Sequence, residues 1–357
     1  MIPFLFEYGC YYYDNKTYAS VFDLFDAATI KQDYNPKYQF WFNDDVFSKI
    51  NWKQNPSIKL ETLYKIRAQQ LRDKYDYLIL AVSGGSDSRQ MLKSFIDNNI
   101  FVDEVVSTYP LKLLEKTQLT KDPMHPMGLI FEYEYAAMPL LKELSEKSPN
   151  TKITIKDYSD FLEKKYTDSN TLISNENSLS ISTHWYVDIF RIYQKQAFYE
   201  LAENTKKPRV AVVNGSDKPY LLYHKNGSVY FHFLDLARSM ASSFQKETIS
   251  NLTPEMFYWS RDCPLIPVKQ SHIINSFVQT NTKLRDALKI KNANGPLLSV
   301  IFRDSDTFKK LIYPSWEENI YQKKIKGNDD GIVKHFFGID TEAFLDEILR
   351  FLQSPRG

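Results

Sequence analysis

The sequence predicts an α/β protein, a doubly wound and mostly parallel sheet with additions at both ends. Three observations carry this. Between residues 60 and 240, short apolar runs rich in β-branched residues alternate with longer helical patterns, the signature of successive βαβ units. The run Tyr77-Leu-Ile-Leu-Ala-Val82 passes directly into Ser83-Gly84-Gly85-Ser86-Asp87-Ser88 and then into a helical segment. A second β-branched run ends in Asn214-Gly215-Ser216-Asp217-Lys218-Pro219. Both turns fall at the carboxyl ends of expected strands, the edge at which open parallel sheets bind their ligands.

Taken in order, residues 1–59 form an aromatic, turn-rich segment with an apolar cluster at Val21-Phe-Asp-Leu-Phe25 that predicts a short helix, and 51–57 reads as a link. From Leu60 to Lys74, Leu60, Leu63, Ile66 and Leu71 recur at helical spacing, which places Arg67 and Arg72 on other faces. Strand Tyr77–Val82, helix Ser88–Asn98, strand Val102–Thr108, helix Glu132–Lys147, strand Thr151–Asp157, helix Trp185–Glu203 and strand Arg209–Asn214 follow. Tyr220–His232 reads as a hairpin around Lys225-Asn226-Gly227. Residues 60–240 are thus the expected α/β core, and 241–357 an expected, mainly helical cap. That cap holds a proline-punctuated loop at Trp259–Pro267, a helix Gln270–Leu288, a polar link Lys323–Asp330 and a closing amphipathic helix Thr341–Leu352.

Composition narrows the class. A net charge of +1 offers no global attraction to nucleic acid or to a membrane, so binding of either needs a local patch. No apolar run approaches the roughly 20 residues of a membrane span, and Met1-Ile2-Pro3-Phe4 lacks the basic start of a signal peptide. Cys10 and Cys263 are the two cysteines, which excludes a disulfide framework or a CxxC zinc site and fits a reducing cytoplasm. The 24 Tyr and 24 Phe read as core and interface packing, with base stacking as the alternative.

The turn at 83–88 carries the chemistry. Gly84 and Gly85 let the backbone bend sharply and approach an anion without a Cβ clash. Ser83, Ser86 and Ser88 offer hydroxyl donors, and the start of the following helix adds backbone N–H groups and a favourable dipole. Asp87 accepts only, so beside phosphates it makes sense as a ligand of Mg²⁺. The alternative is an ordinary turn in which Asp87 or Ser88 caps a helix. The loop lacks the lysine and spacing of GxxxxGK[ST], so it is not a Walker A site.

Ser83–Ser88, read as SGGxDS after a strand, resembles the pyrophosphate loop of the N-type ATP pyrophosphatase (PP-loop) superfamily. Asparagine synthetase, GMP synthetase, NAD synthetase, tRNA-lysidine synthetase and the deazaguanine synthases belong to it. The resemblance covers about residues 60–240, and the chain as a whole also resembles PP-loop proteins of large tailed bacteriophages, which would place it in the host cytoplasm. It implies an adenine nucleotide alpha hydrolase-like fold, ATP and Mg²⁺ as cofactors, and cleavage of ATP between the α- and β-phosphates. An adenylated carboxyl or carbonyl oxygen would then lose AMP to ammonia or an amine. By position the resemblance makes Asp217 a second Mg²⁺ ligand beside Asp87 and Lys218 the neutraliser of pyrophosphate. It puts adenine against the strand end at Ser107–Tyr109.

Other residues stay open at this level. Arg261 and Lys269 are candidate substrate or pyrophosphate contacts, against a reading as surface charge on a packed loop. His125 in Asp122-Pro-Met-His-Pro126 reads as a structural loop histidine or a group over the nucleotide, and Arg67, Gln70 and Arg72 as ion-paired residues or substrate contacts. Cys263 reads as an inert buried thiol or as a sulfur carrier, the latter leading to sulfur transfer onto a nucleobase. Ile2 after Met1 argues against an N-terminal cysteine glutaminase, so nitrogen would come from free ammonia, a substrate amine or a separate subunit. The acceptor is expected to be a small molecule or nucleobase, and a nucleotide-binding protein without catalysis is the remaining alternative.

Overall fold

Tyr77–Ala81 is the central strand of the computed structural model, with parallel neighbours on both sides. The structure describes residues 9–18, 21–112, 132–167, 185–215, 219–223, 229–232, 251–282, 306–317, 320 and 350. In chain order the elements are β1 (Cys10–Tyr13), β2 (Lys16–Tyr18), α1 (Val21–Ile30), β3 (Gln39–Trp41), α2 (Asp44–Phe47), α3 (Leu60–Lys74), β4 (Tyr77–Ala81), α4 (Ser86–Ile96) and β5 (Glu104–Tyr109). A π-helical turn Glu132–Ala137 leads into α5 (Met138–Lys147), then β6 (Lys152–Asp157), α6 (Ser159–Thr167), α7 (Trp185–Thr205), β7 (Val210–Asn214), β8 (Tyr220–Tyr223) and β9 (Val229–His232). β10 (Leu252–Met256), α8 (Leu265–Thr280) and α9 (Asp306–Ile312) complete it.

The main sheet has five parallel strands in the order β10-β7-β4-β5-β6. It is apolar on both faces, as a sheet covered on both sides must be. Leu78, Leu80, Val82, Val105, Ala211 and Val213 face a large core with α3, α4, α5 and α8. The alternate residues Ile79, Ala81, Val106, Val210 and Val212 pack on Phe198, Leu201 and Ala202 of α7. From β4 the chain winds outward through β5 and β6, then returns to the other side of β4 for β7 and β10. The winding therefore reverses between β4 and β7, where a doubly wound sheet opens its ligand crevice.

The doubly wound parallel sheet expected from the sequence is present, with additions. The fifth strand, Leu252–Met256, comes from beyond residue 240 in a stretch expected to be helical cap. Its Pro254 pairs with Val212 on the sheet edge, where a residue lacking an N–H is tolerated. The N-terminal segment adds a three-stranded antiparallel sheet, β2-β1-β3, in addition to its expected helix. β8 and β9 pair antiparallel as the expected hairpin; its turn, the link at 323–330 and most of the closing helix lie outside the described residues.

One correction concerns α3. Its buried face is Leu60, Leu63, Tyr64, Arg67, Ala68 and Leu71, and Ile66, expected on that face, is exposed. Arg67 is wholly buried because Glu255 at the end of β10 meets it at 2.7 Å and the Met256 carbonyl accepts from the same nitrogen at 2.9 Å. Asp262 adds a carboxylate at 3.5 Å. Lys74 at 2.9 Å and the Tyr75 hydroxyl at 2.6 Å complete the shell around Glu255. Burial opposes ionisation of Glu255, but the Arg67 and Lys74 charges and the Tyr75 bond outweigh it and hold its carboxyl below the usual range.

Candidate active site

The loop at 83–88 is built from the backbone outward. β4 ends at Ala81, and the next residue, Val82, still donates to the Val106 carbonyl at 2.9 Å. The Ser107 hydroxyl donates to the Val82 carbonyl at 2.7 Å, and the Tyr109 hydroxyl donates to that of Ser83. β5 therefore clamps the strand end, and Ser107 acts there through its side chain, a role the sequence did not signal.

Gly84 then turns at φ +81°, a left-handed conformation that favours glycine. A Cβ on it would lie 2.7 Å from the Ala137 nitrogen, so the π-helical turn leaves room only for glycine. Gly85 is the N-cap of α4, which begins at Ser86, two residues earlier than expected. A Cβ on Gly85 would lie 2.7 Å from Glu132 Oε1 and 3.3 Å from Ser83 Oγ.

The serines divide their work. Ser88 Oγ accepts from the Ser83 N–H at 3.2 Å and donates to the Gly85 carbonyl at 3.0 Å, so it braces the turn from inside. Ser83 Oγ accepts from the Gly85 N–H at 3.3 Å. Ser86 is buried in the first turn of α4. A turn in which Asp87 or Ser88 caps the helix does not describe this, because the N-cap of α4 is Gly85.

Asp87 lies in the first turn of α4 with its side chain about a quarter exposed. Its backbone carbonyl accepts from the Tyr258 hydroxyl at 2.6 Å. Its carboxylate faces the Lys309 ammonium of α9 at 3.8 Å. Tyr258 and Tyr313 pack on each other at a tilt, with ring centroids 5.4 Å apart. Burial, then the Asp87 charge, pushes the Tyr313 phenol well above its ordinary value. The 241–357 region thus supplies three groups around Asp87. Lys309 had no local motif; it reaches the site from 222 residues further along the chain.

The neighbouring strand approaches as expected. Asn214 pairs with Ala81, and a Cβ on Gly215 would lie 3.0 Å from the Asp87 carbonyl and 3.1 Å from Ser88 Cα. The start of the second turn is therefore packed against the first. Asp217 and Lys218 themselves, with Ser216, lie outside the described residues, as does His125.

Other candidates are placed elsewhere. Arg261 pairs with Asp45 at 2.7 Å, and the Lys269 ammonium donates to the Asn55 side chain at 3.1 Å and the Pro56 carbonyl at 3.0 Å. Both tie the chain to its N-terminal segment. A cavity beside Arg261, lined also by Phe42, Lys74, Glu255 and Trp259, has about 20 Å³, room for one water-sized group. Gln70 donates to the Asp262 carbonyl at 2.9 Å, and Arg72 pairs with Asp103 at 2.6 Å. Cys263 is buried with its thiol 3.8 Å from the Leu63 carbonyl, and burial pushes that thiol up to about 11.

Compared with protein-family models and with curated proteins, the chain finds no match in either. Among the described residues no helix is long and apolar enough to cross a membrane, and no group of three or more His, Cys, Asp or Glu is gathered as a metal site.

Proposed function

We propose that the chain is an ATP-dependent enzyme of the PP-loop kind, a ligase that adenylates a carboxyl or carbonyl oxygen and then forms a C–N bond. The observation that carries this reading is the Ser83–Ser88 turn. It stands at the carboxyl end of β4, at the reversal point of a doubly wound sheet, with Gly84 closed against the Ala137 backbone and Gly85 facing the Glu132 carboxylate. The turn runs directly into the N-terminus of an 11-residue helix, an arrangement that favours a bound anion.

In this reading the cradle holds the β- and γ-phosphates, and the strand end at Ser107–Tyr109 lies beside adenine. The substrate oxygen attacks the α-phosphorus, the bond to the β-phosphate oxygen breaks, and pyrophosphate leaves into the cradle. Ammonia or an amine then attacks the activated carbon and AMP departs. Asp87 has the donor chemistry for Mg²⁺, and Asp217 is its proposed companion. A bound Mg²⁺ would neutralise the triphosphate charge. Lys309, beside Asp87, supplies a cation at the same place, the role assigned to Lys218 by resemblance. Catalysis would rest on positioning and electrostatic stabilisation.

The buried Cys263 thiol does not favour sulfur transfer, since the thiolate is the reactive form. Exchange of labelled pyrophosphate into ATP, run with a fractionated cell extract as acceptor source, tests the proposal. Wild-type protein should support exchange and Asp87→Ala should lose it; full exchange in that variant would refute the assignment.

A further inference from the structure

The π-helical turn Glu132–Ala137 lies directly on the phosphate loop, although about fifty residues separate them in sequence. Its position is held at several points. Ala137 closes over Gly84, with its nitrogen 2.7 Å from where a Cβ would be. The Tyr133 ring meets Tyr109 edge-on with centroids 4.8 Å apart, and the Tyr109 hydroxyl donates to the Ser83 carbonyl. Single π-turns of this kind re-aim side chains and recur at functional sites. Here the residue brought in is Glu132, whose Oε1 is 2.7 Å from the point a Gly85 Cβ would occupy. Gly85 is the N-cap of α4, so this carboxylate stands at the part of the cradle where anionic ligands are most favoured.

A carboxylate in an anion cradle repels a bare phosphate chain. It tolerates one whose charge has been offset by a cation, and an ionised carboxylate can share that cation. We infer that Glu132 is a specificity-determining residue that restricts the loop to metal-complexed nucleotide and rejects free ATP. This rests on the nucleotide reading of the loop and adds to it a selectivity that Asp87, on the helix itself, does not by itself explain. The adjacent Glu134 is exposed and serves as the control for net charge.

The experiment is titration calorimetry of the full chain with ATP in excess Mg²⁺ and with ATP in EDTA, at one ionic strength. Wild type should bind the Mg²⁺ complex well and free ATP poorly. In Glu132→Gln the ratio of the two dissociation constants should shrink by about tenfold or more, chiefly through tighter binding of free ATP. Glu134→Gln should leave the ratio unchanged. An unchanged ratio in Glu132→Gln, or an equal loss of both affinities, overturns the inference while leaving the nucleotide reading intact. Failure of wild type to bind ATP even with Mg²⁺ refutes the nucleotide reading itself.

Discussion

The Tyr258 hydroxyl donates to the backbone carbonyl of Asp87 at 2.6 Å, tying the first turn of α4 to the segment that follows β10. Tyr258 is fully buried among Tyr64, Phe257 and Tyr313. Replacing it by Phe keeps the packing and leaves the Asp87 carbonyl without this donor. A loss of about 1–3 kcal/mol in denaturant unfolding is expected, with weaker ATP binding because Asp87 is less firmly placed. Unchanged ATP affinity at reduced stability would confine Tyr258 to a structural role.

Gly84→Ala tests the turn itself. The substitution forces an L side chain into φ +81° and drives its Cβ toward the Ala137 nitrogen. At least about 1 kcal/mol of stability should go, together with nucleotide binding, since relief requires the π-helical turn to move away. Thermal unfolding and a fluorescent-nucleotide titration check the two effects separately.

Glu255 should give a distinct pH dependence. Its folded carboxyl is held below the ordinary value of 4.5, so its contribution is fully present above that value and is lost as pH falls through the lower folded value. At neutral pH Glu255→Gln should cost about 3–5 kcal/mol, because it leaves the buried Arg67 charge with only the more distant, part-exposed Asp262 to offset it. The gap between wild type and variant should narrow below about pH 4, read from urea midpoints across the acid range.

Cys263 should be inert. With its thiol raised to about 11 by burial, little thiolate exists at pH 8. A disulfide reagent should label it only as the protein unfolds, and Cys263→Ser should retain full adenylating activity. Rapid labelling of folded protein, or loss of activity in the variant, would revive a sulfur-carrier role.

How much of this was legible in the sequence follows from contact distance along the chain. The strand, the glycine turn and the helix at 77–96 are contiguous, so apolar patterning and turn chemistry expose them together. Leu252–Met256 was hidden because Pro254 and Glu255 do not resemble a strand, and only its edge position and the Arg67 partnership make them fit. Arg67 misled the helical pattern for the same reason, since its compensating charge lies 188 residues away. Glu132 and Lys309 reach the loop through tertiary packing alone, and neither sits in a local motif.

In the proposed reaction ATP is cleaved between its α- and β-phosphates at the Ser83–Ser88 loop. Incubation of the purified chain with α-labelled ATP, Mg²⁺ and fractionated extract, resolved for labelled AMP and ADP, tests it most directly. Cleavage at that bond gives labelled AMP with pyrophosphate, lost in Asp87→Ala. Labelled ADP with phosphate, at a rate that depends on Asp87, would contradict it.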